Sequence, residues 1–213
     1  MPNADIGSLH GFDLTHFSLG PVDSTFASGV LTVHPDTDYA AGIITKAPYN
    51  IAGSACSFRI NDSPGSPVAS NELFVGMIDA NAIAYGFDSA VNILGWYLVG
   101  DSAGAGVWLQ PVMQAGGADS SPSGGPFLTT PVVIQVREAA GTTYFESSPD
   151  GETWTTVYSA PDALNTTQMG ALYFSLCAGF WNTAGGDTGI TQHFDLFNGG
   201  APTRSPGDFF GFI

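Results

Sequence analysis

Paired carboxylates are the groups in this sequence that come nearest to catalytic chemistry. Hydrolysis of a glycosidic bond needs two carboxyl groups that face the same bond, about 5 to 9 Å apart. Glu138 and Glu146 lie on neighbouring strand-like runs, and Asp150 and Glu152 lie in the turn that follows. Carboxylates at turns and sheet edges are usually only solvated. We therefore expect neither pair to be catalytic and the protein not to be an enzyme.

Histidines and serines give little support for other reactions. The four histidines, His10, His16, His34 and His193, have no regular metal-ligand spacing. If the first and last strands pair, His16 and His193 would approach each other, although two surface or half-buried histidines are the commoner arrangement. No Gly-x-Ser-x-Gly motif activates a particular serine. The sequence predicts no metal site and no nucleophile.

Oxygen-rich groups are the candidates for a cofactor. Asp36-Thr-Asp38, Asn61-Asp62 and Asp119 offer the carboxylate and amide oxygens that Ca²⁺ prefers. None of them belongs to a diagnostic ligand series. We expect no cofactor, with Ca²⁺ as the alternative.

Aromatic side chains are better candidates for binding. A sugar ring stacks well on an exposed indole, because the C–H face of the ring is apolar. Trp96, Tyr97, Trp108 and Trp181 lie on or beside strand-like runs, and burial explains most of them. Trp108 and Trp181 border glycine-rich segments, where exposure is expected. These two tryptophans are the predicted glycan contacts.

The charge balance excludes several partners. The 213 residues include 4 basic and 19 acidic residues, a formal net charge of −15, and only 11% are charged. So few cations oppose binding to nucleic acid or to an anionic membrane. A surface with so little charge must consist largely of Ser, Thr, Asn, Gly and Pro. We expect no nucleic acid partner and no membrane insertion.

Export signals are missing from the sequence as given. No uncharged apolar run reaches the ~18 residues that cross a bilayer, and the first residues lack the basic start and apolar stretch of a signal peptide. We expect synthesis in a cytoplasm without export by the usual signal.

Cys56 and Cys177 lie in apolar runs typical of buried free thiols, and a disulfide between them is the alternative.

Strands account for nearly all of the predicted structure. The hairpin from Val132 to Tyr158 is the plainest, since Pro149 presets φ and Gly151 accepts a positive φ in its second turn. Runs 73–78 and 93–99 are apolar on both faces, which predicts strands covered on both sides. Strands are expected near residues 11–19, 29–35, 42–47, 54–61, 72–79, 82–87, 92–100, 106–113, 132–138, 142–147, 153–159, 170–178 and 192–197, and a glycine-rich loop at 115–126.

The order of these strands resembles that of a known superfamily. Phe26-Ala-Ser-Gly-Val-Leu-Thr-Val33, Cys56-Ser-Phe-Arg-Ile60, the hairpin 145–154, Ala171-Leu-Tyr-Phe-Ser-Leu-Cys177 and His193-Phe-Asp-Leu-Phe197 are similar to segments of concanavalin A-like lectin/glucanase domains, the laminin-G-like jelly rolls. The resemblance implies an all-β, two-sheet antiparallel jelly-roll sandwich in which the first and last strands are neighbours. It also implies a concave face that binds glycans in many relatives.

The sequence departs from two known motifs, so the resemblance does not imply the activities that belong to them. The Glu-x-Asp-x-Glu strand of the superfamily's glycosidases is missing. The segment Ser148-Pro-Asp-Gly-Glu-Thr-Trp154 is similar to the Asp-box of sialidases, but it is one residue short and occurs once. We expect Asp150 to be a turn residue and Trp154 a packing residue.

The carboxyl end has a different character from the predicted domain at residues 1–198. Residues 199–213 begin with glycine and proline and end with Phe209, Phe210, Phe212 and Ile213. An apolar end of this kind either packs on its own domain or docks on another subunit. We predict an extended assembly tail.

These features together are typical of bacteriophage virion proteins that use lectin-like sandwiches. The prediction is a structural or interaction protein of a virion (minor tail, fibre or capsid decoration), partnered by other virion proteins or by copies of itself and by a host glycan. A freestanding carbohydrate-binding module is the first alternative. A glycoside hydrolase or lyase is the second.

Overall fold

Antiparallel strands make up most of the described structure. The computed structural model describes residues 48, 50–60, 74–81, 90–99, 106–129 and 131–175. It describes residues 4–5, 12–16, 22–27, 30–35, 41–45, 71–73, 100, 176–180 and 192–197 as backbone alone. In chain order, the strands are β1 (Ala4–Asp5), β2 (Phe12–His16), β3 (Val22–Ala27), β4 (Val30–Pro35), β5 (Ala41–Thr45), β6 (Ala55–Ile60), β7 (Asn71–Ile78), β8 (Ile93–Gly100), β9 (Val107–Ala115), β10 (Ala118–Asp119), β11 (Val132–Ala139), β12 (Thr142–Ser148), β13 (Thr155–Pro161), β14 (Tyr173–Phe180) and β15 (Gln192–Phe197).

A four-residue helix, α1 (Thr166–Met169), precedes β14. The side chain of Asn165 accepts hydrogen bonds from the backbone N–H groups of Thr167 and Gln168, and the Gln168 side chain accepts one from the Asn165 N–H. This capping box satisfies N–H groups that a helix start otherwise leaves unpaired. The predicted strand at 170–178 therefore begins a few residues later, after the helix.

The strands form two antiparallel sheets. The first sheet has eight strands in the order β13-β12-β11-β6-β15-β4-β3, with β1 pairing β15 off this path. The second sheet has seven strands in the order β10-β9-β8-β7-β14-β5-β2. The predicted all-β, two-sheet antiparallel jelly-roll sandwich is confirmed.

The first and last described strands pair with each other in the first sheet. Strand β1 pairs with β15, with Ala4 opposite Phe197, as the resemblance implies. His16 lies on β2 in the second sheet, whereas His193 lies on β15 in the first. The pairing that would bring these two histidines together is therefore not made.

The core lies between the sheets and is built from their inward side chains. Trp96 of β8 and Phe145 of β12 are completely buried and meet edge to face, with ring centroids 5.6 Å apart. The indole N–H of Trp96 donates to the backbone carbonyl of Gln135 at 3.2 Å, across the two sheets. Aliphatic side chains fill the rest of this layer, among them Ile60, Val75, Leu94, Leu109, Ile134 and Leu172. Trp96 is a core residue and is not available to a ligand.

A second apolar cluster covers the outer face of the second sheet. Its buried members are Phe74, Ile78, Ala90, Ile93 and Val112, and Tyr97 and Tyr173 pack against them. Strands β7 and β8 are thus apolar on both faces because both faces are covered, as their sequence predicts.

Two glycines let β7 and β8 approach closely under this cluster. Gly76 and Gly95 are opposite each other in the register. A Cβ on Gly95 would lie 2.6 Å from the Val75 carbonyl oxygen and 2.7 Å from the Phe74 ring. The Phe74 ring therefore occupies the space that side chains at these positions would need.

Positive φ angles shape the two hairpin turns that follow β11. Ala140 and Gly141 join β11 to β12 with φ of 53° and 81°, and Gly151 has φ of 80° in the turn before β13. The predicted hairpin from Val132 to Tyr158 and the role of Gly151 are confirmed.

Some predictions fall on parts of the chain that the structure does not describe. These are the strand near 82–87, the domain boundary at 198 and the assembly tail at 199–213. The parts of the chain that the structure does describe contain no helix with the length and hydropathy needed to cross a bilayer.

Candidate functional site

Strand β9 presents alternate side chains to the core and to the outer face of the second sheet. Val107 and Leu109 are buried in the core, whereas Trp108 and Gln110 are half-buried on the opposite face. This alternation is what a period of two residues produces in a strand. The predicted glycan contact Trp108 is therefore at the surface, near one edge of the sheet.

Phe127 covers one face of Trp108. The chain returns to β9 after the glycine-rich loop: the Leu109 N–H donates to the Pro126 carbonyl at 2.8 Å, and the Leu128 N–H donates to the Val107 carbonyl at 2.7 Å. Trp108 and Phe127 are opposite each other in this short bridge. Their rings stack with centroids 3.7 Å apart and an interplanar angle of 25°.

Phe127 is the exposed member of this pair. Its relative exposure is 45%, and it is the one large apolar side chain that is exposed among the residues with described side chains. A fixed aromatic ring facing water provides the flat apolar surface on which the C–H face of a sugar can stack.

Glycine at two positions makes the pairing of Trp108 and Phe127 feasible. A Cβ on Gly125 would lie 1.7 Å from the carbonyl oxygen of Leu109, so this backbone approach admits only glycine. Gly106 has φ of 152°, and a Cβ there would lie 3.2 Å from the Phe127 ring. Gly106, which borders Trp108 in the sequence, and Gly125, in the returning segment, thus position the second ring.

Two further half-buried side chains extend the site along the sheet. Gln110 follows Trp108 on the same face of β9, and Tyr97 of β8 lies directly opposite Gln110. We call Tyr97, Trp108, Gln110 and Phe127 the aromatic strip. From strand spacing and rise per residue, the Cα atoms at its two ends, in Phe127 and Tyr97, are about 12 Å apart.

The sequence identified part of this strip. Trp108 is half-buried on the outer face, so it is less exposed than predicted, and its role as a glycan contact stays a prediction; Trp181 lies outside the described residues. Phe127 was missed, although an aromatic residue directly after Gly124-Gly-Pro126 is a signal that the loop rejoins the sheet there. The assembly-tail residues Phe209, Phe210, Phe212 and Ile213 also lie outside the described part of the chain.

The first predicted carboxylate pair is divided between the two faces of one sheet. Glu146 is opposite Gln135, and Glu138 is opposite Thr143, so the register places the glutamates on opposite faces. Glu146 is only 6% exposed and accepts hydrogen bonds from Gln135 and Arg137. Two carboxylates on opposite faces cannot act on one bond.

Arg137 holds Glu146 on the outer face of the first sheet. The hydrogen bond and the charge of Glu146 raise the pKa of the Arg137 guanidinium despite partial burial. The same guanidinium lies 4.0 Å from the centroid of the Tyr144 ring. Arg137 therefore has two partners within its own sheet.

Glu138 lies at the opposite face and joins three segments at one end of the sandwich. Its carboxylate accepts hydrogen bonds from the backbone N–H groups of Gly53 and Gly141. Asp162 accepts a hydrogen bond from Thr143 and lies within hydrogen-bonding reach of Glu138. Burial, and next the neighbouring charge of Glu138, raise the pKa of Asp162.

The second predicted pair belongs to a turn. Asp150 accepts hydrogen bonds from the N–H groups of Glu152 and Thr153 and from the Ser148 hydroxyl, all at 2.8 Å. These bonds, that from Thr153 first, lower the pKa of Asp150 to about 2. Asp150 is a turn residue, as predicted, and Trp154 beside it is half-buried.

Candidate metal ligands are only partly described. Asp119 accepts a hydrogen bond from the Ser121 N–H at 2.8 Å, while Asp36, Asp38 and Asp62 lie outside the described residues. Within the described side chains, no three His, Cys, Asp or Glu residues are close enough to share a metal ion. Cys56 is a buried free thiol, and burial raises its pKa well above the usual value.

Comparison with known proteins gives matches in structure but not in sequence. No protein-family model and no curated protein matches this chain. The structure is similar to the catalytic domain of an endo-1,3-beta-glucanase (laminarinase) from Thermotoga petrophila, with a TM-score of 0.57 and 10% identity, covering 82% of this chain and 78% of that chain.

Two non-glucanase structures are similar to a comparable degree. A legume lectin-like domain from Entamoeba histolytica has a TM-score of 0.56 and 8% identity over 89% of this chain and 88% of its own. The CBM2 module of the evolved Dit protein of phage J-1 of Lactobacillus casei has a TM-score of 0.53 and 9% identity over 84% of this chain and 79% of its own. Enzymes and lectins share this architecture, so it does not decide activity. The strand order and these neighbours show that the chain has the concanavalin A-like lectin/glucanase jelly-roll fold.

Proposed function

We propose that the protein is a non-enzymatic structural module of a bacteriophage virion that recognises a glycan on the host surface. The aromatic strip carries the glycan-binding part of this proposal. Phe127 is exposed, is held 3.7 Å from Trp108, and is anchored by backbone hydrogen bonds on both sides. A ring fixed in this way loses little conformational entropy when a sugar stacks on it.

The described carboxylates favour a non-enzymatic role. Glu146 is engaged by Arg137, Glu138 joins chain segments at the end of the sandwich, and Asp150 organises a turn. Each of these groups has a place in the fold that accounts for it. A polysaccharide hydrolysed by the purified protein, with activity lost in Glu138→Gln or Glu146→Gln, would support the glycosidase alternative instead.

The virion part of the proposal draws on composition and on one structural neighbour. A net charge of −15 with few charged residues leaves a surface rich in hydroxyl and amide groups, and a phage Dit module is among the similar structures. In this proposal, residues 1–198 form the lectin-like domain and residues 199–213 dock on another subunit or another virion protein. The protein would be made in the host cytoplasm and assembled into the particle there.

The glycan-binding part is tested with a glycan array and isothermal titration calorimetry on the full chain. We expect Phe127→Ala to abolish binding or to weaken it about tenfold, because stacking of this kind contributes about 1.4 kcal/mol or more. Trp154→Ala is the matched control, since Trp154 is half-buried in the turn before β13 of the first sheet, and it should bind as the unaltered protein does. If Phe127→Ala binds glycan as strongly as Trp154→Ala does, the aromatic strip is not the glycan-binding site.

The virion part is tested by assembly. We expect the full chain to form a defined oligomer or to bind a second virion protein, and a chain that lacks residues 208–213 to remain folded and to lose this association in light scattering. Mass spectrometry of purified particles should find the protein. A monomer that binds glycan and is absent from particles would instead be a freestanding carbohydrate-binding module.

A further inference from the structure

We infer that the aromatic strip binds the interior of an uncharged oligosaccharide and makes contact with more than one sugar ring. This inference rests on the proposed glycan binding and adds the charge class of the ligand and the part of the glycan that is bound. Three features support it: the charges of the described side chains, the small residues at the outer end of the strip and the distance between the Cα atoms at its two ends.

The charges oppose an anionic sugar. The four residues of the aromatic strip carry no charge at neutral pH, and the whole chain carries −15. The two cations with described side chains, Arg59 and Arg137, belong to β6 and β11 of the first sheet. Among the described side chains, a uronate or sialate at the aromatic strip on the second sheet would therefore meet repulsion at long range and find no cation of that sheet to pair its carboxylate.

The uncharged polar groups of the aromatic strip suit sugar hydroxyls. The amide of Gln110 both donates and accepts hydrogen bonds, and it lies next to Trp108 on the same face of β9. Tyr97, opposite Gln110, adds a phenol at the edge of the apolar cluster. Hydroxyl groups offer the complementary donor and acceptor without bringing a charge to be desolvated.

In the described part of the chain, the outer end of the aromatic strip is open. The residues that lead into Phe127, Ser123-Gly-Gly-Pro126, are small or exposed, and glycine is required at Gly125. A pocket for the terminal sugar of a glycan needs side chains that close around it. The small residues of this segment provide no such wall beside Phe127. A glycan chain can therefore continue past the Phe127 ring in that direction.

The length of the aromatic strip suits several rings. The Cα atoms at its two ends are about 12 Å apart, which is longer than one pyranose ring. The exposed face of Phe127 and the half-buried Tyr97 then contact successive parts of the same ligand. Affinity should increase as rings are added until the strip is covered.

The test uses calorimetric titration of the full chain with two matched series. The first contains uncharged cello-oligosaccharides and manno-oligosaccharides of one to six rings, and the second contains oligogalacturonates of the same lengths. A glycan array with neutral and acidic members extends both series to other sugars. We expect binding of neutral members only, about tenfold tighter for three rings than for one, and nearly unchanged between low and high salt.

Variants connect this result to the aromatic strip. Phe127→Ala should weaken the binding of the three-ring ligand by about tenfold, and Phe127→Tyr should retain it. Gln110→Lys should add binding to oligogalacturonates that falls as salt rises. Tryptophan fluorescence during titration gives a second measurement, since a ligand on Phe127 changes the surroundings of Trp108.

Each contrary outcome has a distinct meaning. Binding of acidic glycans alone, weakened by salt, would overturn the charge inference and leave glycan binding intact. Equal affinity for one ring and for three would overturn the inference that the strip binds the interior of a chain. If no glycan binds and Phe127→Ala changes the oligomeric state, the strip is a protein interface, and both this inference and the proposed glycan binding fail.

Discussion

Arg137 and Glu146 form a two-pronged ion pair across β11 and β12, with the Nε–Oε2 and Nη2–Oε1 distances both 2.9 Å. The Glu146 side chain is 8% exposed, whereas the Arg137 side chain is 25% exposed. The pair therefore fixes a nearly buried carboxylate on the outer face of the first sheet. Removing one partner leaves the other without its main compensation.

Glu146→Gln should accordingly reduce the free energy of unfolding by about 2 kcal/mol. A double-mutant cycle with Arg137→Met, measured by urea unfolding, should give a coupling energy of about 1 kcal/mol or more. Glu152→Gln, in the exposed turn, is the control and should change stability by less than about 0.5 kcal/mol. A coupling energy near zero would contradict a stabilising pair.

Asp162→Asn should stabilise the protein at neutral pH, because it removes one charge from the Glu138–Asp162 contact and keeps an oxygen for the Thr143 hydroxyl. The pKa of Asp162 is raised in the folded state, so the folded protein binds this proton more tightly than the unfolded chain does. The stability that the folded protein gains from binding this proton is complete below about pH 4. It is lost as the pH rises through the raised pKa of Asp162.

The expected gain in melting temperature is about 2 °C at pH 7, small because Asp162 is only partly buried, and it should vanish near pH 4. Scanning calorimetry across this range measures it. Asp119→Asn is the control, since Asp119 accepts a backbone hydrogen bond without a neighbouring carboxylate in the contacts described. A gain that stays constant with pH would show that proton binding at Asp162 is not its cause.

Gly95→Ala should destabilise the protein by about 3 kcal/mol, because its Cβ would lie 2.6 Å from the Val75 carbonyl oxygen and 2.7 Å from the Phe74 ring. Gly116→Ala is the comparison: its Cβ would meet no atom within 4 Å, and its φ of 59° costs about 1 kcal/mol. Urea unfolding of both variants distinguishes crowding from backbone strain. If both variants lose the same free energy of unfolding, β7 and β8 can move apart to accommodate the added methyl group at little cost.

Ala140→Asn should raise the free energy of unfolding by about 0.5 to 1 kcal/mol. Ala140 has φ of 53° and precedes Gly141 with φ of 81°, and Asn-Gly is the preferred pair where both central residues have positive φ. Ala118→Asn, at an exposed position in β10, is the control and should give no gain. A loss in Ala140→Asn would mean that the methyl group of Ala140 contributes to packing.

The parts of the fold that local patterns predict are those in which chain neighbours pair. The β11–β12–β13 hairpins follow from alternation and turn residues within one continuous segment. Strand β3 was missed because Val22-Asp-Ser-Thr has the composition of a turn, and its pairing with β4 makes it a strand. Helix α1 has only the capping box of Asn165 and Gln168 as its signal.

The contacts of the site that could not be predicted from the sequence depend on pairing between distant segments of the chain. The position of β6 between β11 and β15 depends on contacts far apart in the chain, and so does the stacking of Phe127 on Trp108. Composition around Trp108 indicated exposure, but no local rule connects that residue to a ring on the far side of a glycine-rich loop. The register of β9 with residues 126–128 creates that contact.

The loop between β9 and Phe127 is attached to the same strand at both of its ends. β10 pairs with the end of β9, and the residues around Gly125 and Pro126 pair with its beginning. Ser123 and Gly124 between these attachments are exposed, and space around Gly124 is open. A peptide grafted between Ser123 and Gly124 would be displayed at the rim of the sandwich beside the aromatic rings, with Gly125 retained as its hinge to the scaffold.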